Sequence, residues 1–351
     1  MEERVGGWLK NVYRQLHLDS HFETFNTVYT NFDAKSAAQM YADSGAQMVS
    51  FFAKCWGGYS YYPTKIGVVH PGLGKDYTGE LTAALKKRGI RCIIYFMLGT
   101  ERHHQTAHPD WVYNTDPTAW TLGNQENKQV AIMCFNSPYV DEVGIPQMKE
   151  IIERYDPDGF FVDIVMHQYM LWNCYCPFCR NLYAKEVGGE IPKKDSDPNA
   201  FVYRKWLNKH MEAHMEKCYR ELAKLKPDIA IINNFSWFVR YPVNPPRYVP
   251  HVTWDTPPPD VGLYSWNFSL EARYLSTLPD VPFSVMNTRG NNWGEYSLRE
   301  KEAFMQECAI MIASGGSNYL SDIPSPPGIP IVPYMKSLAL STKEHSLSNH
   351  T

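Results

Sequence analysis

The sequence predicts an α/β chain folded as a (β/α)8 TIM barrel. Apolar β-rich runs alternate with helical patterns about eight times, once a short run at 130–134 is set aside as a loop strand. Strands alternating with helices imply βαβ units and a parallel sheet. No Gly-x-Gly-x-x-Gly follows an early strand and no Walker-type Gly-Lys-Ser/Thr occurs, which weakens a doubly wound alternative. Polar residues close most of the apolar runs, as they do where a barrel carries its site.

The elements follow in order. Gln15 to Asp19 alternates polar and apolar residues and reads as the first strand. Asp33 is placed to cap a helix running to about Asp43. Ala46 to Phe52 reads as a strand, Thr78 to Arg88 as a helix ended by Gly89, and Arg91 to Met97 as a buried strand. A helix is expected over about Pro146 to Tyr155, a strand over Gly159 to Asp163, and a long helix over about Phe201 to Leu225. Ile229 to Asn233, His251 to Asp255, Phe283 to Asn287 and Ser317 to Ser321 read as the remaining strands. A helix over about Leu298 to Ala313 separates the last two. Pro-rich stretches at 242–250, 257–259 and 324–333 read as loops over the barrel. One catalytic domain over 1–351 is therefore expected, with long βα loops and a barrel core at about 14–340.

Composition narrows the function. Lys plus Arg number 34 against 37 Asp plus Glu, a balance that argues against a basic face for nucleic acid. No run approaches the roughly 18 apolar residues of a membrane span. The chain opens Met-Glu-Glu-Arg-Val-Gly-Gly, without a basic start and an apolar run, so a cytoplasmic location is expected. Several of the eight Cys lie inside apolar runs, as reduced thiols do. Aromatic residues make up 14%, which suits stacking on sugars or bases, or a large core.

In a barrel the chemistry sits at the C-terminal ends of the strands. Those ends carry Asp19, His21, Lys54, Trp56, Asp163, Asn233, Trp254, Asp255 and Asp322, with Trp293 and Glu295 just past the seventh strand. Amides and carboxylates take hydroxyls, and indole faces take the C–H face of a sugar ring. Asp163 stands out because four apolar strand residues run into it; a carboxylate there is desolvated unless hydrogen-bonded. A loop-tying carboxylate is the structural alternative. A glycosidase needs a second carboxyl group, and Asp255 and Glu295 are the candidates. Each also reads as a solvated or helix-capping group, Glu295 more so because Ser297 to Glu300 forms a capping pattern.

These residues carry a resemblance. Phe52-Ala53-Lys54-Cys55 with Ser60-Tyr61-Tyr62-Pro63-Thr64-Lys65 resembles the second-strand motif of a group of glycoside hydrolases related to the family 29 α-L-fucosidases. His17-Leu18-Asp19-Ser20-His21 resembles that group's first strand, and Asp158 to Asp163 the strand that delivers the fucosidase nucleophile. Trp254-Asp255-Thr256 with Tyr264-Ser265-Trp266, Trp293-Gly294-Glu295-Tyr296, and Ala313 to Leu320 resemble later units. The likeness covers about residues 14–340.

The resemblance implies a retaining exo-glycosidase of TIM-barrel fold working by two carboxylates. Asp163 would be the nucleophile, with Asp255 as acid/base and Glu295 as runner-up. Asp19, His21, Lys54, Trp56, Tyr61, Tyr62, Asn233, Trp254 and Trp293 would line a pocket for a small-molecule or oligosaccharide substrate. No cofactor is required for such chemistry, no nucleic-acid or membrane partner is expected, and a homo-oligomer is compatible with it. A non-catalytic sugar-binding barrel, a β-galactosidase-like enzyme and a metal-dependent hydrolase remain alternatives. Two departures stand out. The group's His pair is replaced by Cys55-Trp56-Gly57, and its Trp-Glu-Thr by Trp254-Asp255-Thr256, drawing the carboxyl back by about 1.5 Å. Relatives often carry domains after the barrel, and none is expected here.

Cys174, Cys176 and Cys179 form a C-x-C-x2-C run after Asp163. Close thiols in a reducing compartment read as metal ligands before disulfides. Structural zinc wants four ligands; His167, Cys134 or Cys55 would have to supply the fourth. Packed free thiols are the equal alternative.

Overall fold

The computed structural model describes residues 5–114, 131–163, 173–194, 196–234, 245–246, 248–255, 264–288, 290 and 299–327. Eight strands form the frame: β1 (Arg14–Leu18), β2 (Met48–Lys54), β3 (Arg91–Met97), β4 (Gly159–Asp163), β5 (Ala230–Asn233), β6 (Val252–Asp255), β7 (Phe283–Thr288) and β8 (Ser317–Asp322). Neighbours pair in parallel in the order β6-β7-β8-β1-β2-β3-β4-β5. A parallel bridge between Asn234 and Thr253 joins the two ends. The sheet is thus a closed barrel, as the alternation in the sequence predicts.

Around it lie α1 (Ala34–Asp43), α2 (Tyr77–Lys86), α3 (Ile145–Tyr155), α4 (Pro177–Glu186), α5 (Ala200–Ala223), α6 (Tyr264–Leu275) and α7 (Lys301–Ala313). Their starts have local causes. Asp33 Oδ1 accepts from the N–H groups of Lys35 and Ser36 at 3.0 and 3.2 Å, and Asp76 from Gly79 at 2.9 Å, covering donors that a first helical turn leaves open. α3 ends where Asp156 turns left-handed at φ 49°. Helices α4 and α6 were not foreseen: α4 starts inside the cysteine run with Pro177 as its first residue, where the thiols dominate the reading. The run near 131 is a loop strand as expected, with Ala131–Ile132 pairing antiparallel to Thr100–Glu101 outside the barrel.

The barrel interior is aromatic rather than aliphatic. The His17 ring lies 5.4 to 6.0 Å from the rings of Phe52, Tyr95, Phe161 and Tyr319. Phe52 stacks on Tyr95 at 3.7 Å, and Tyr95 on Phe161 at 5.8 Å. Burial pushes the His17 imidazole down to about 3, with His21 adding to the effect, so it sits there neutral, its Nδ1 3.0 Å from Ser50 Oγ. These rings fill the floor on which the site rests.

Register decides what reaches the mouth. In β2, Phe52 pairs with Tyr95 but Lys54 pairs with Phe96, so Ala53 is an extra residue, a bulge. Side chains alternate faces along a strand, and the bulge therefore sends Lys54 to the side of Phe96, away from Tyr95. In β4, a Cβ at Gly159 would stand 2.2 Å from the Ala230 carbonyl oxygen, backbone that cannot step aside. Gly159→Ala is expected to destabilise the barrel by about 1–3 kcal/mol or more, read as a fall in the thermal melting midpoint; an unchanged midpoint would show that β4 and β5 have room to part.

Candidate active site

Among the described residues, the C-terminal mouth brings together the carboxylates of Asp19 after β1, Asp163 ending β4 and Asp255 ending β6. Asn234, one residue past β5, lies between two of them. Its Nδ2 donates to Asp163 Oδ1 at 2.7 Å and to Asp255 Oδ2 at 2.8 Å. A single nitrogen reaching both means that those two oxygens are at most about 5.5 Å apart. The second Asp163 oxygen accepts from Tyr95 Oη at 2.5 Å. Asp255 Oδ1 is buried and has no hydrogen-bond partner among the described residues.

The electrostatics separate the two acids. Burial raises Asp255 and the charge of Asp163 raises it further; the Asn234 hydrogen bond opposes them, and Asp255 stands at about 7. Asp19 is also raised, by burial first, with His21 opposing and Asp163 adding. Tyr95 is raised well above its usual range, by burial and then by Asp163, so it stays a neutral donor. Near neutral pH the pair therefore holds Asp163 between two donors and Asp255 close to half-protonated, the division of roles that acid–base catalysis needs.

One wall of the mouth is His21 and Trp56. The Trp56 N–H donates to His21 Nδ1 at 3.2 Å, which leaves Nε2 as the protonated nitrogen, 3.5 Å from Asp19 Oδ1. The His21 ring lies 5.8 Å from that of Tyr95 and 6.4 Å from the Trp56 indole. Thr100 Oγ1 donates to the Trp56 carbonyl at 2.7 Å and ties this loop to the hairpin beside it.

The structure thus brings Asp19, His21, Trp56, Asp163 and Asp255 together and moves five expected pocket residues elsewhere. Lys54, turned by the bulge, is buried against Glu101 Oε2 at 2.6 Å and Tyr139 Oη at 2.7 Å. Tyr61 is fully buried; its hydroxyl donates to the Ser20 carbonyl and accepts from the Phe22 N–H. Tyr62 is buried too and donates to Glu150 at 2.9 Å. Trp254 stacks on Tyr274 of α6 at 5.5 Å, because it alternates with Asp255 and so faces the helices. Asn233 pairs with Val162, between the inward Phe161 and Asp163, and faces outward as Val162 does; its neighbour Asn234 is the residue at the site. Trp293 and Glu295 lie outside the described residues. Tyr95 is a site residue that its apolar strand conceals in the sequence, and alternation back from the strand end is the signal that finds it.

The thiols of Cys174, Cys176 and Cys179 converge with that of Cys134, which follows the loop strand. All four sulfurs lie within 4.8 Å of one another, and all four residues are buried. Cys55 is not in the group, and His167 lies outside the described residues. Among the described residues, this cysteine set is the group of three or more metal-ligating side chains close enough to share an ion; the mouth carboxylates are not.

Comparison with known proteins agrees with this fold. A family model described as hypothetical glycosyl hydrolase 6 matches residues 33–164, ending one residue past Asp163. An α-L-fucosidase of Dictyostelium discoideum is 27% identical over 136 residues, 38% of this chain and 26% of that protein. Among solved structures, α-L-fucosidase isoenzyme 2 from Paenibacillus thiaminolyticus superposes with a TM-score of 0.80 at 23% identity, over 95% of this chain and 49% of that one. The α-L-fucosidase AlfC from Lactobacillus casei, in complex with α-L-fucose, does so with a TM-score of 0.59 at 15% identity over 99% of each chain. The fold is that of these enzymes; the family model describes a glycosyl hydrolase, and the curated relative and the solved structures are named α-L-fucosidases. The chain spans about a quarter of the length of the curated relative and about half of the Paenibacillus chain.

The pairing of the acids has a direct consequence. Asp163→Asn removes the charge that helps raise Asp255, so the Asp255 pKa is expected to fall below about 7. Carboxyl 13C NMR titration of the variant and the wild type reads the shift; an Asp255 value that does not move would show the acids to be uncoupled.

Proposed function

We propose that this barrel is a retaining exo-glycosidase that removes terminal α-L-fucose from a small-molecule or oligosaccharide glycoside. The observation that carries the reading is the Asn234 amide, which holds oxygens of Asp163 and Asp255 within about 5.5 Å. Retaining glycosidases place their carboxyl groups about 5–5.5 Å apart, inverting ones about 6.5–9.5 Å, because only the latter must admit a water between the general base and the sugar. The fucoside is supported by the names of the similar proteins.

In the first step an Asp163 oxygen attacks the anomeric carbon as the bond to the leaving oxygen breaks. Asp255, protonated on the free Oδ1, gives its proton to that oxygen. The product is a glycosyl ester of Asp163 and a free alcohol. In the second step Asp255, now anionic, takes a proton from water as the water oxygen attacks the same carbon. Asp163 leaves as a carboxylate and Asp255 is again an acid. Two inversions give net retention. Tyr95 and Asn234 hold Asp163 in place and accommodate its change of charge. His21 and Asp19 are placed to bond sugar hydroxyls, and the partly exposed Trp56 indole to cover the apolar face of the ring. None of these steps calls for a cofactor.

The whole chain is read as one catalytic domain. Among the described residues no helix is long and apolar enough to cross a membrane. Its eight cysteines are all unpaired and buried, which supports a reducing, cytoplasmic setting.

A panel of 4-nitrophenyl glycosides tests the proposal. The α-L-fucoside is expected to be cleaved, with the α-anomer of fucose appearing first by NMR. Asp163→Ala should lose turnover while keeping the fold, with azide restoring it as a glycosyl azide. Saccharide binding without hydrolysis of any member would replace the enzyme by a sugar-binding barrel, and a first-formed β-anomer would remove the retaining mechanism.

The pH profile tests the acid separately. The free enzyme needs Asp255 protonated, so kcat/KM should decline as pH rises through about 7. Asp255→Asn should lower kcat/KM by about 10²–10⁴-fold on substrates with poor leaving groups and abolish that decline. Retention of the decline in the variant would assign the acid to another residue.

A further inference from the structure

We propose that Cys134, Cys174, Cys176 and Cys179 are the four ligands of a structural zinc ion, which clamps the loop strand, α4 and α5 together beside the active site. The four residues come from two places in the chain. Cys134 follows the loop strand Ala131–Ile132, and the other three lead into and begin α4. Their sulfurs lie within 4.8 Å of one another, with Cys134 Sγ 3.4 Å from both Cys179 Sγ and Cys176 Sγ. Four sulfurs at about 2.3 Å from a tetrahedral zinc stand about 3.8 Å apart, so small adjustments admit the ion. The separations are far beyond the roughly 2.05 Å of a disulfide bond.

The surroundings treat the sulfurs as acceptors, as thiolates require. The Asn136 amide donates to Cys179 Sγ at 3.3 Å, and the Cys179 N–H to Cys176 Sγ at 3.4 Å. Cys176 is the N-cap of α4, a position usually held by an oxygen acceptor, and the ten-residue helix presents its positive end to the sulfur. Asn136 is itself fixed by α5, whose His214 Nε2 lies 3.0 Å from the Asn136 Oδ1 acceptor. Tyr203 of the same helix accepts from the Cys174 N–H at 2.9 Å. Such supports around the ligands orient them and tune the metal. Packed neutral thiols would call for neither the convergence nor these donors.

On binding, Zn2+ displaces the thiol protons to solvent and forms four Zn–S bonds, with no change of oxidation state. The clamp lies near the sugar pocket through one short path. Cys134 donates its N–H to the Trp111 carbonyl, and the loop strand it follows pairs with Thr100, whose hydroxyl holds the Trp56 carbonyl. Its role is to fix that wall, and the chemistry at Asp163 and Asp255 does not pass through it.

The test uses the whole chain expressed with zinc in the medium. Elemental analysis should give one zinc per chain. Denatured protein should show eight free thiols, and mercurial titration of the native protein should release the zinc as four thiols react. Exchange with Co2+ should produce the thiolate-to-metal charge-transfer and visible bands of a tetrahedral tetrathiolate. Cys134→Ser should lose its metal to a chelator concentration that leaves the wild type loaded, and Cys92→Ala, outside the cluster, should keep it. Asn136→Ala should bind zinc about 10–100-fold more weakly. A wild-type chain without zinc that gives no thiolate band with Co2+ would overturn the proposal, as would fewer than eight thiols from a disulfide within the cluster. Unchanged zinc affinity in Cys134→Ser would overturn the four-ligand assignment. These readouts do not use glycoside hydrolysis, so the zinc and the proposed activity stand or fall separately.

Discussion

Two carboxylates that share one amide nitrogen face a constraint that organises the mouth of this barrel. At about 5 Å, with an effective dielectric near 20, two full negative charges repel by about 3 kcal/mol. Burial adds a desolvation cost for each charge. The arrangement is tolerable when one acid holds its proton, and the surroundings choose which. Asp163 receives donors on both oxygens, from Tyr95 and from Asn234. Among the described residues, Asp255 receives one donor on one oxygen and none on the other. The proton belongs on Asp255 because ionisation costs more there. In the proposed mechanism, nucleophile and acid are thus distinguished by their neighbours, not by residue type.

That division depends on the barrel floor. Tyr95 can point its hydroxyl at Asp163 only because its ring is clamped between Phe52 and Phe161. His17, below them, is kept neutral by the same burial; a charged imidazole there would bias the balance between the acids above. The aromatic content therefore has two locations. A rigid stack fills the interior, and Trp56 with His21 forms the rim. The stack serves the proposed chemistry indirectly, by leaving the Tyr95 hydroxyl a single direction.

Much of this was legible in the sequence. Alternating strands and helices gave the barrel, and polar residues closing apolar runs gave Asp19, His21, Trp56, Asp163 and Asp255. What was not legible depended on side-chain direction. Choosing between Asn233 and Asn234 needs the register of β5 against β4. Trp254 sits beside Asp255, but alternation carries it to the helical layer. The Ala53 bulge has no sequence signature, yet it reverses Lys54. Cys134 lies 40 positions before Cys174, and only the closed fold brings the two into one cluster.

Lys54 shows what a displaced site residue can still do. Its ammonium is buried and paired with Glu101, and Tyr139 contacts both partners. Burial alone would raise Glu101, but the Lys54 charge overrides it and holds the carboxyl at about 2. A buried pair of this kind adds little net stability over an apolar packing, and breaking it leaves a buried charge unmatched. Its value is positional. Glu101 presses against Gly58, where a Cβ would come within 2.1 Å of the carboxylate and the backbone turns left-handed at φ 88°. The adjoining Thr100 holds the Trp56 carbonyl. The pair therefore locks the loop at residues 56–58 onto the hairpin and sets the height of the Trp56 indole over the mouth. Lys54 thus acts on the mouth from behind its wall, by fixing the residue proposed to face the sugar.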